Sequence, residues 1–178
     1  VRNVIPKNIN CIFIRQQSAL GLGHAVLCAR SVVGNDPFAV ILADDLMVAH
    51  EGHTSAIAQM TRLYEQEQSA IIAVQDVARD QTRQYGIVSS TAYKENLELM
   101  HGIIEKPAPE VAPSTLAVAG RYVLPGKIFS YLENLGKGSG GEIQLTDAIA
   151  QLLRTDPVYA YRYAATRYDC GSKFGYLQ

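Results

Sequence analysis

Two runs of apolar residues, at positions 38–43 and 70–74, constrain the fold of this chain more than any other feature. Both runs carry apolar side chains on two faces, which is typical of strands in a sheet that helices cover from both sides. Between the runs, apolar residues recur at spacings of three and four, which predicts a helix from an N-cap at Thr54 to about Gln68. The order strand, helix, strand therefore predicts a doubly wound α/β sheet with right-handed crossovers.

The second half of the chain is less regular. Its predicted elements are an antiparallel insertion, a return strand, two helices and a closing strand, at residues 87–104, 116–124, 125–135, from about 142, and 158–163. No repeat, charge block or low-complexity linker divides the sequence. Residues 1–178 are therefore interpreted as a single domain.

Charge and composition exclude some classes of protein. The 16 Lys and Arg residues nearly balance the 17 Asp and Glu residues, and a net charge of −1 argues against a nucleic-acid partner. No apolar run approaches the roughly 20 residues that a bilayer span needs, so no membrane partner is expected. The sequence does not open like a secretory signal, and its 3 cysteines are odd in number and widely spaced, which predicts a cytoplasmic protein.

The chain is poor in charge for a soluble domain. Charged residues make up 19% of the sequence, against the roughly 25% that is usual, while hydrophobic residues make up 48%. Part of the surface is therefore expected to be buried, either against a partner or against further polypeptide chain.

Two aspartates follow predicted strands. Asp44 stands at the carboxyl end of the strand at 38–43, where open α/β sheets bind ligands, and Asp169 follows the strand that ends near residue 163. If both strands are parallel and central, the two carboxylates can share one Mg²⁺ ion together with phosphate oxygens. Asp45 is expected to point to the opposite face of the extended segment. Taken alone, each aspartate also fits a turn or a helix cap.

A charged pair follows another apolar run, at residues 103–104. Pro107 favours an extended Lys106, so the side chains of Glu105 and Lys106 are expected to diverge. A carboxylate and an ammonium that diverge suit a sugar phosphate. The carboxylate accepts hydrogen bonds from the sugar hydroxyl groups, and the ammonium binds the phosphate. Gly86, at a strand start, would let a flat ring approach the backbone. A solvated charge pair and a plain turn are the alternative interpretations.

Three other motifs are weaker. Residues 21–24 precede a helix predicted over residues 25–33 and offer free N–H groups, but they lack the glycine spacing of a dinucleotide-binding loop. The glycine-rich residues 136–141 do not match a P-loop. His50 and His53 suggest a zinc-dependent hydrolase only weakly, because no third spaced ligand accompanies them.

The order of the motifs along the chain is more informative than any one of them. It closely resembles that of bacterial UTP–glucose-1-phosphate uridylyltransferases, also called UDP-glucose pyrophosphorylases, over essentially the whole sequence. The motifs that carry the resemblance are Arg15-Gln16, Gly21-Leu22-Gly23-His24-Ala25-Val26-Leu27-Cys28-Ala29, Phe38-Ala39-Val40-Ile41-Leu42-Ala43-Asp44-Asp45-Leu46, Tyr85-Gly86-Ile87-Val88, Ile104-Glu105-Lys106-Pro107, Gly120-Arg121-Tyr122-Val123-Leu124, Gly141-Glu142-Ile143-Gln144-Leu145-Thr146-Asp147-Ala148-Ile149 and Asp169-Cys170-Gly171-Ser172-Lys173.

The resemblance implies a fold, a reaction and a cofactor. The fold is α/β, of the Rossmann-like nucleotide-diphospho-sugar transferase type, with a mixed, mostly parallel sheet and helices on both faces. The reaction joins UTP and glucose 1-phosphate to give UDP-glucose and pyrophosphate, with Mg²⁺. Asp44 and Asp169 would hold the Mg²⁺, and Asp44 and Lys106 would be the catalytic residues. With the low charge, the resemblance also predicts a homodimer or homotetramer.

The resemblance also implies which residues bind the substrates. Gln16 and Gly21 would read the edge of the uracil. Gly86 and Glu105 would line the glucose site, and Lys106 would bind the sugar phosphate. Asp45 stands where many relatives have an aliphatic residue, and is left out of the metal site.

The chain ends depart from the family pattern. Members of the family begin with a strand and a glycine-rich loop of the type Gly-x-Gly-Thr-Arg that grips the triphosphate, and nothing of that type precedes Val1. The family's C-terminal helices would follow Gln178. We therefore expect the sequence to be truncated at both ends, without the N-terminal strand and loop, and to lack UTP turnover by itself.

Two alternative functions fit the same motifs. The first is a thymidylyl- or cytidylyltransferase that acts on a sugar phosphate, which competing nucleotides in a pyrophosphorolysis assay would distinguish. The second is a catalytically inactive module that binds a nucleotide sugar, which binding of UDP-glucose without turnover would support.

Overall fold

The computed structural model of the protein describes residues 8–171. Its strands are β1 (Phe38–Ile41), β2 (Asp45–Ala49), β3 (Ala70–Asp76), β4 (Gly86–Lys94), β5 (Leu97–Glu105), β6 (Leu116–Leu124), β7 (Val158–Arg162) and β8 (Ala165–Asp169). Its α-helices are α1 (Leu22–Cys28), α2 (Arg30–Val33), α3 (Ala56–Glu67), α4 (Ile128–Asn134) and α5 (Leu145–Leu152). Short 3₁₀ helices lie at Arg79–Gln84 and Ser139–Gly141. The ends of the predicted single domain, residues 1–7 and 172–178, lie outside the described residues.

Six strands form one mixed sheet in the order β1-β6-β3-β7-β5-β4, which confirms the mixed α/β fold. The prediction that the sheet is mostly parallel is wrong, because within residues 8–171 only β3 and β7 pair in parallel. The strands β1, β3 and β7 do run in one direction, as the strand–helix–strand pattern indicates. However, β6 returns between β1 and β3, and β5 returns beside β7, so most neighbours are antiparallel.

Strand β6 lies at the centre of the core, because every one of its 9 residues is buried. One face of the sheet packs against α1, α4 and α5 through side chains such as Phe129, Leu132 and Ile149. The other face packs against α3, largely through Met60. Fully burying one side chain of this size contributes roughly 1.5 to 3 kcal/mol to the stability of the fold. Helices thus cover both faces of the sheet, as predicted.

Two predicted helices differ in detail from the structure. Helix α3 is capped by Ser55 and not by Thr54, since the Ser55 hydroxyl oxygen accepts a hydrogen bond from the Ala58 N–H at 3.4 Å. The helix predicted over residues 25–33 is interrupted at Ala29, where α1 ends and the single turn of α2 begins. Over residues 8–171, the helices are all too short or too polar to cross a bilayer.

Strands β2 and β8 form a separate antiparallel ribbon that the sequence analysis did not predict. In the ribbon Asp45 lies opposite Asp169, and the Cys170 N–H donates to the Asp44 carbonyl oxygen at 2.7 Å. Asp44 and Asp169 were expected to meet at the ends of central parallel strands. That expectation is wrong about the strands, because Asp169 lies in an antiparallel ribbon outside the main sheet. β1 lies at one end of the strand order, and the ribbon brings the two aspartates together instead.

Candidate active site

A cavity of about 340 Å³ opens where the ribbon, β4, β5, β6 and the start of α5 come together. Most of its lining side chains and glycines belong to motifs that the sequence analysis selected. The lining residues are Leu22, Leu42, Asp44, Asp45, Gln84, Tyr85, Gly86, Glu105, Lys106, Val118, Gly120, Tyr122, Glu142, Gln144, Leu145, Thr146, Arg167 and Asp169.

The carboxylates of Asp44 and Asp169 lie close together at the ribbon end of the cavity. A Cβ placed on Gly171 would be 3.2 Å from Asp169 Oδ1 and 3.2 Å from Asp44 Oδ2, so these two oxygens are at most about 6.4 Å apart, twice that distance. Mg²⁺ is often bound by one or two carboxylates, with water and phosphate oxygens completing the shell. The two carboxylates therefore lie at one end of the cavity and are of the ligand type that a divalent cation takes together with phosphate.

These carboxylates are not part of a larger metal cluster. In the described part of the chain, no group of three or more His, Cys, Asp or Glu side chains is arranged to hold a metal ion. The zinc interpretation is not supported either, since His50 Nε2 lies 3.3 Å from the Thr166 hydroxyl oxygen in the ribbon. A cation at Asp44 and Asp169 would thus need water and substrate oxygens to complete its shell.

Asp45 lines the cavity and forms an ion pair. Its side chain is 5% exposed, and its Oδ1 accepts a hydrogen bond from Arg167 Nε at 2.7 Å. Its Oδ2 accepts another from the Gly120 N–H at 2.7 Å. Since both oxygens have partners, Asp45 has a structural role that agrees with its omission from the predicted metal site.

Gly86 and Glu105 lie opposite each other in the β4–β5 pair, at another part of the same cavity. The Thr146 hydroxyl donates to Glu105 Oε2 at 3.0 Å, which fixes the carboxylate. A Cβ on Gly86 would lie only 2.9 Å from Thr146 Cγ2 and 3.4 Å from Glu105 Oε2. Glycine therefore keeps the space in front of Glu105 open for a ligand.

Lys106 departs from the predicted extended backbone. Its φ is +47°, in the left-handed region, and its N–H donates to the Tyr85 carbonyl oxygen at 3.0 Å. Its side chain does not diverge from Glu105, because Lys106 Nζ lies 3.6 Å from Glu105 Oε1. Pro107 disfavours the right-handed helical region for Lys106, and the hydrogen bond to Tyr85 holds the tight turn. The Lys106 side chain is half-exposed and lines the cavity.

Gln16 and Gly21 are the two predicted binding residues that do not line the cavity. They are joined to each other, since Gln16 Nε2 donates to the Gly21 carbonyl oxygen at 3.1 Å and lies 2.9 Å from His24 Nδ1. A Cβ on Gly21 would lie 3.2 Å from Oε2 of the cavity residue Glu142. The pair therefore stands beside the cavity, behind Glu142.

Tyr122 is a cavity residue to which the sequence analysis gave no role. Tyr122 as a whole is 5% exposed. Its hydroxyl has no hydrogen-bond partner within residues 8–171. Burial raises the pKa of this phenol, and the negative charges of Glu105 and Asp45 raise it further, so the hydroxyl stays protonated. Tyr122 belongs to the quoted Gly120–Leu124 motif, so its place in that motif was a usable signal.

Comparison with known proteins identifies the family. A sequence model of the family "Nucleotidyl transferase" matches residues 3–178. The UTP–glucose-1-phosphate uridylyltransferase YngB of Bacillus subtilis is 43% identical over 166 residues, which cover 93% of this chain and 55% of that protein. The UTP–glucose-1-phosphate uridylyltransferase of Pseudomonas aeruginosa is 42% identical over 166 residues, which cover 93% of this chain and 59% of that protein.

Solved structures agree with the sequence relatives. A UTP-bound UDP-glucose pyrophosphorylase from Acinetobacter baumannii is 47% identical, with a TM-score of 0.86 over 99% of this chain and 60% of that chain. A UDP-glucose pyrophosphorylase in complex with UDP-glucose is 43% identical, with a TM-score of 0.90 over 92% of this chain and 62% of that chain. A putative glucose-1-phosphate thymidylyltransferase from Bacillus anthracis is 25% identical, with a TM-score of 0.72.

The matches confirm the resemblance inferred from the order of the motifs. They also show that the chain spans 55% to 59% of the length of these two curated relatives. Because the family model covers almost the whole sequence, the chain belongs to the nucleotidyl transferase family.

Proposed function

We propose that this chain forms part of a uridylyltransferase that joins UTP and glucose 1-phosphate to give UDP-glucose and pyrophosphate. The observation that carries the proposal is one cavity that holds both a carboxylate pair, Asp44 and Asp169, and a sugar-phosphate set, Gly86, Glu105 and Lys106. We further propose that residues 1–178 belong to a single catalytic domain. A homodimer or homotetramer stays a prediction.

The reaction needs no activated side-chain nucleophile. The phosphate of glucose 1-phosphate is already an anion, and its oxygen attacks the α-phosphorus of UTP while the bond from that phosphorus to the pyrophosphate oxygen breaks. The protein has to align the reactants and stabilise charge. Glu105, which Thr146 holds in place, accepts hydrogen bonds from hydroxyl groups of the sugar. Lys106 Nζ binds the sugar phosphate.

A divalent cation fits the ribbon end of the cavity. Asp44 and Asp169 would hold it, and we infer that the cation is Mg²⁺ because carboxylate and phosphate oxygens are its preferred ligands. When bound, Mg²⁺ neutralises negative charge on the phosphates. Asp44 and Asp169 would determine where in the cavity that charge is neutralised relative to Lys106.

Uridine selectivity is assigned to Gln16 and Gly21. Gln16 Nε2 is used within the protein, by the Gly21 carbonyl oxygen and by His24, so the amide oxygen is the atom that remains for a base. An acceptor in that place matches the N3–H of uracil, whereas cytosine has an unprotonated N3. Thymine shares the N3–H, so this contact does not separate uridine from thymidine nucleotides.

The proposal is tested with the natural full-length polypeptide and UDP-glucose, dTDP-glucose and CDP-glucose as competing substrates for pyrophosphorolysis. We expect UTP and glucose 1-phosphate from UDP-glucose, with activity lost on chelation of divalent cations and restored by Mg²⁺. Preferential use of dTDP-glucose or CDP-glucose would contradict the uridylyl assignment. Binding of UDP-glucose without turnover would instead support the inactive binding module.

Tyr122→Phe is expected to raise the KM for glucose 1-phosphate about three- to tenfold, because the free hydroxyl in the cavity would lose a hydrogen bond to the sugar. The free energy of unfolding without ligand should change little, since the hydroxyl has no partner in the described part of the chain. Steady-state kinetics and urea unfolding measure the two quantities.

Tyr163→Phe is the matched control. The Tyr163 hydroxyl donates to Gln75 Oε1 at 2.6 Å, and burial raises the pKa of Tyr163 to about 12. Its removal should therefore lower stability and leave the KM unchanged. An unaltered KM in Tyr122→Phe would exclude the sugar contact.

A further inference from the structure

The buried ion pair between Asp45 and Arg167 lies directly beside the proposed cation site. Arg167 Nε lies 2.7 Å from Asp45 Oδ1, and Arg167 Nη2 lies 2.5 Å from the same oxygen. The side chains are 10% and 5% exposed, so water does not screen the pair. The two residues are 122 positions apart in sequence, and the pair ties the two strands of the ribbon together.

Asp45 is held in place from the sheet side. Its Oδ2 accepts from the Gly120 N–H at 2.7 Å, and Arg121 Nη2 donates to its backbone carbonyl oxygen. Arg121 Nη1 also donates to the Leu42 carbonyl oxygen at 3.1 Å. Strand β6 therefore fixes Asp45, and Asp45 fixes the guanidinium of Arg167.

Arg167 in turn lies beside the carboxylate of Asp169, whose side chain is 46% exposed. Arg167 Nη2 lies 3.7 Å from Asp169 Oδ2, while Asp169 Oδ1 accepts the Gly171 N–H at 3.0 Å. Asp169 Oδ1 and Asp44 Oδ2 both lie 3.2 Å from the position that a Cβ on Gly171 would take. Arg167 and the Gly171 N–H thus lie beside different oxygens of Asp169, and Arg167 is itself linked to Gly120 through Asp45.

The charges at this end of the cavity also match a divalent cation. The Arg167 guanidinium is positively charged, because arginine is not deprotonated in proteins. Asp45 compensates that charge. Asp44 and Asp169 are then left with two negative charges between them, which a divalent cation would balance.

We propose that Asp45 and Arg167 are positioning residues, which hold Asp169 so that its Oδ1 faces the cation shared with Asp44. The inference rests on the proposed function, because it assumes the cation site. Neither residue is assigned a contact with substrate or cation. Weakening the pair should therefore weaken cation binding more than it changes turnover at saturating cation.

The test measures binding of Mn²⁺ to the natural full-length polypeptide by electron paramagnetic resonance, with UDP-glucose present. Arg167→Lys keeps the charge but loses the planar fork, and we expect Mn²⁺ to bind roughly tenfold or more weakly. Asp45→Asn should weaken Mn²⁺ binding as well, because an uncompensated Arg167 would compete with the cation for Asp169. In both variants kcat should recover largely at high Mn²⁺.

Arg162→Lys is the matched control. Arg162 also bridges two carboxylates, Glu98 at 2.5 Å and Asp76 at 2.5 Å, but it does not line the cavity. Its replacement should leave Mn²⁺ affinity unchanged. Wild-type affinity in folded Arg167→Lys or Asp45→Asn, or an equal loss in Arg162→Lys, would overturn the inference.

Two further measurements distinguish a wrong cation site from a wrong role for Arg167 and Asp45. Asp169→Asn should abolish Mn²⁺ binding, and if it does not, the cation site itself is wrong, independently of Arg167. If the Arg167 and Asp45 variants do not fold, a crystal structure of the wild-type protein with Mn²⁺ decides. We expect Mn²⁺ on Asp169 Oδ1 with Oδ2 still beside Arg167, and coordination through Oδ2 would refute the inference.

Discussion

Lys106→Ala is expected to lower kcat for pyrophosphorolysis of UDP-glucose at least about a hundredfold, because one preorganised charge at a reacting phosphate contributes on the order of 3 to 4 kcal/mol. The left-handed backbone of Lys106 and its hydrogen bond to Tyr85 aim the ammonium, so alanine removes the charge without an obvious replacement. Asp44→Ala should cause a loss of similar size even at saturating Mg²⁺, since a cation held by Asp169 alone would not be fixed in place beside the phosphates.

Lys94→Ala is the control for charge as such. Lys94 is half-exposed, pairs with Glu67 and does not line the cavity, so kcat should stay within about twofold of wild type. Steady-state assays at saturating Mg²⁺ and UDP-glucose measure kcat for all three variants. Near-normal turnover by Lys106→Ala or Asp44→Ala would remove that residue from the proposed mechanism.

The parts of this fold that could be predicted are those with a local signal. The apolar runs at 38–43 and 70–74 contain β1 and most of β3, and the segment around Glu105 and Lys106 leads into the cavity as expected. The direction of β6 has no such signal. Its burial on both faces suits a central strand of either direction, so the mostly parallel sheet was a natural but wrong conclusion.

The ribbon and its ion pair could not be predicted from the sequence, for a different reason. β2 and β8 are five residues each and find their partner more than a hundred positions away, so neither contains a turn signal that would predict the pairing. A buried arginine is rare unless it is paired. No role for Arg167 was predicted, and its burial is explained by the ion pair with Asp45 in the assembled ribbon.

The backbone at Lys106 shows the limit of a local rule. A following proline disfavours the right-handed helical region, and the usual result is an extended residue. Here the N–H of Lys106 finds the Tyr85 carbonyl oxygen, and the residue adopts a φ of +47° instead. The contact is with a neighbouring strand end, so only the assembled β4–β5 pair reveals it.

Gly120→Ala is expected to lower the free energy of unfolding by about 2 to 4 kcal/mol, from overpacking together with the loss of a buried hydrogen bond. An added Cβ would lie 2.3 Å from Asp45 Oδ2 and 2.8 Å from the Leu42 Cβ. The backbone has little room to move away, because the Gly120 N–H donates to Asp45 and its carbonyl oxygen accepts from the Leu42 N–H at 2.9 Å. Urea unfolding of the natural full-length polypeptide measures the change.

Gly136→Ala separates this effect from glycine replacement in general. A Cβ on Gly136 would meet no atom within 4 Å, so its stability should stay within about 0.5 kcal/mol of wild type. Equal stability of the two variants would show that Asp45 can move away from β6 at little cost. Asp45 would then be a poor anchor for Arg167, so the stability of Gly120→Ala also bears on whether the sheet can hold the ribbon carboxylates in place.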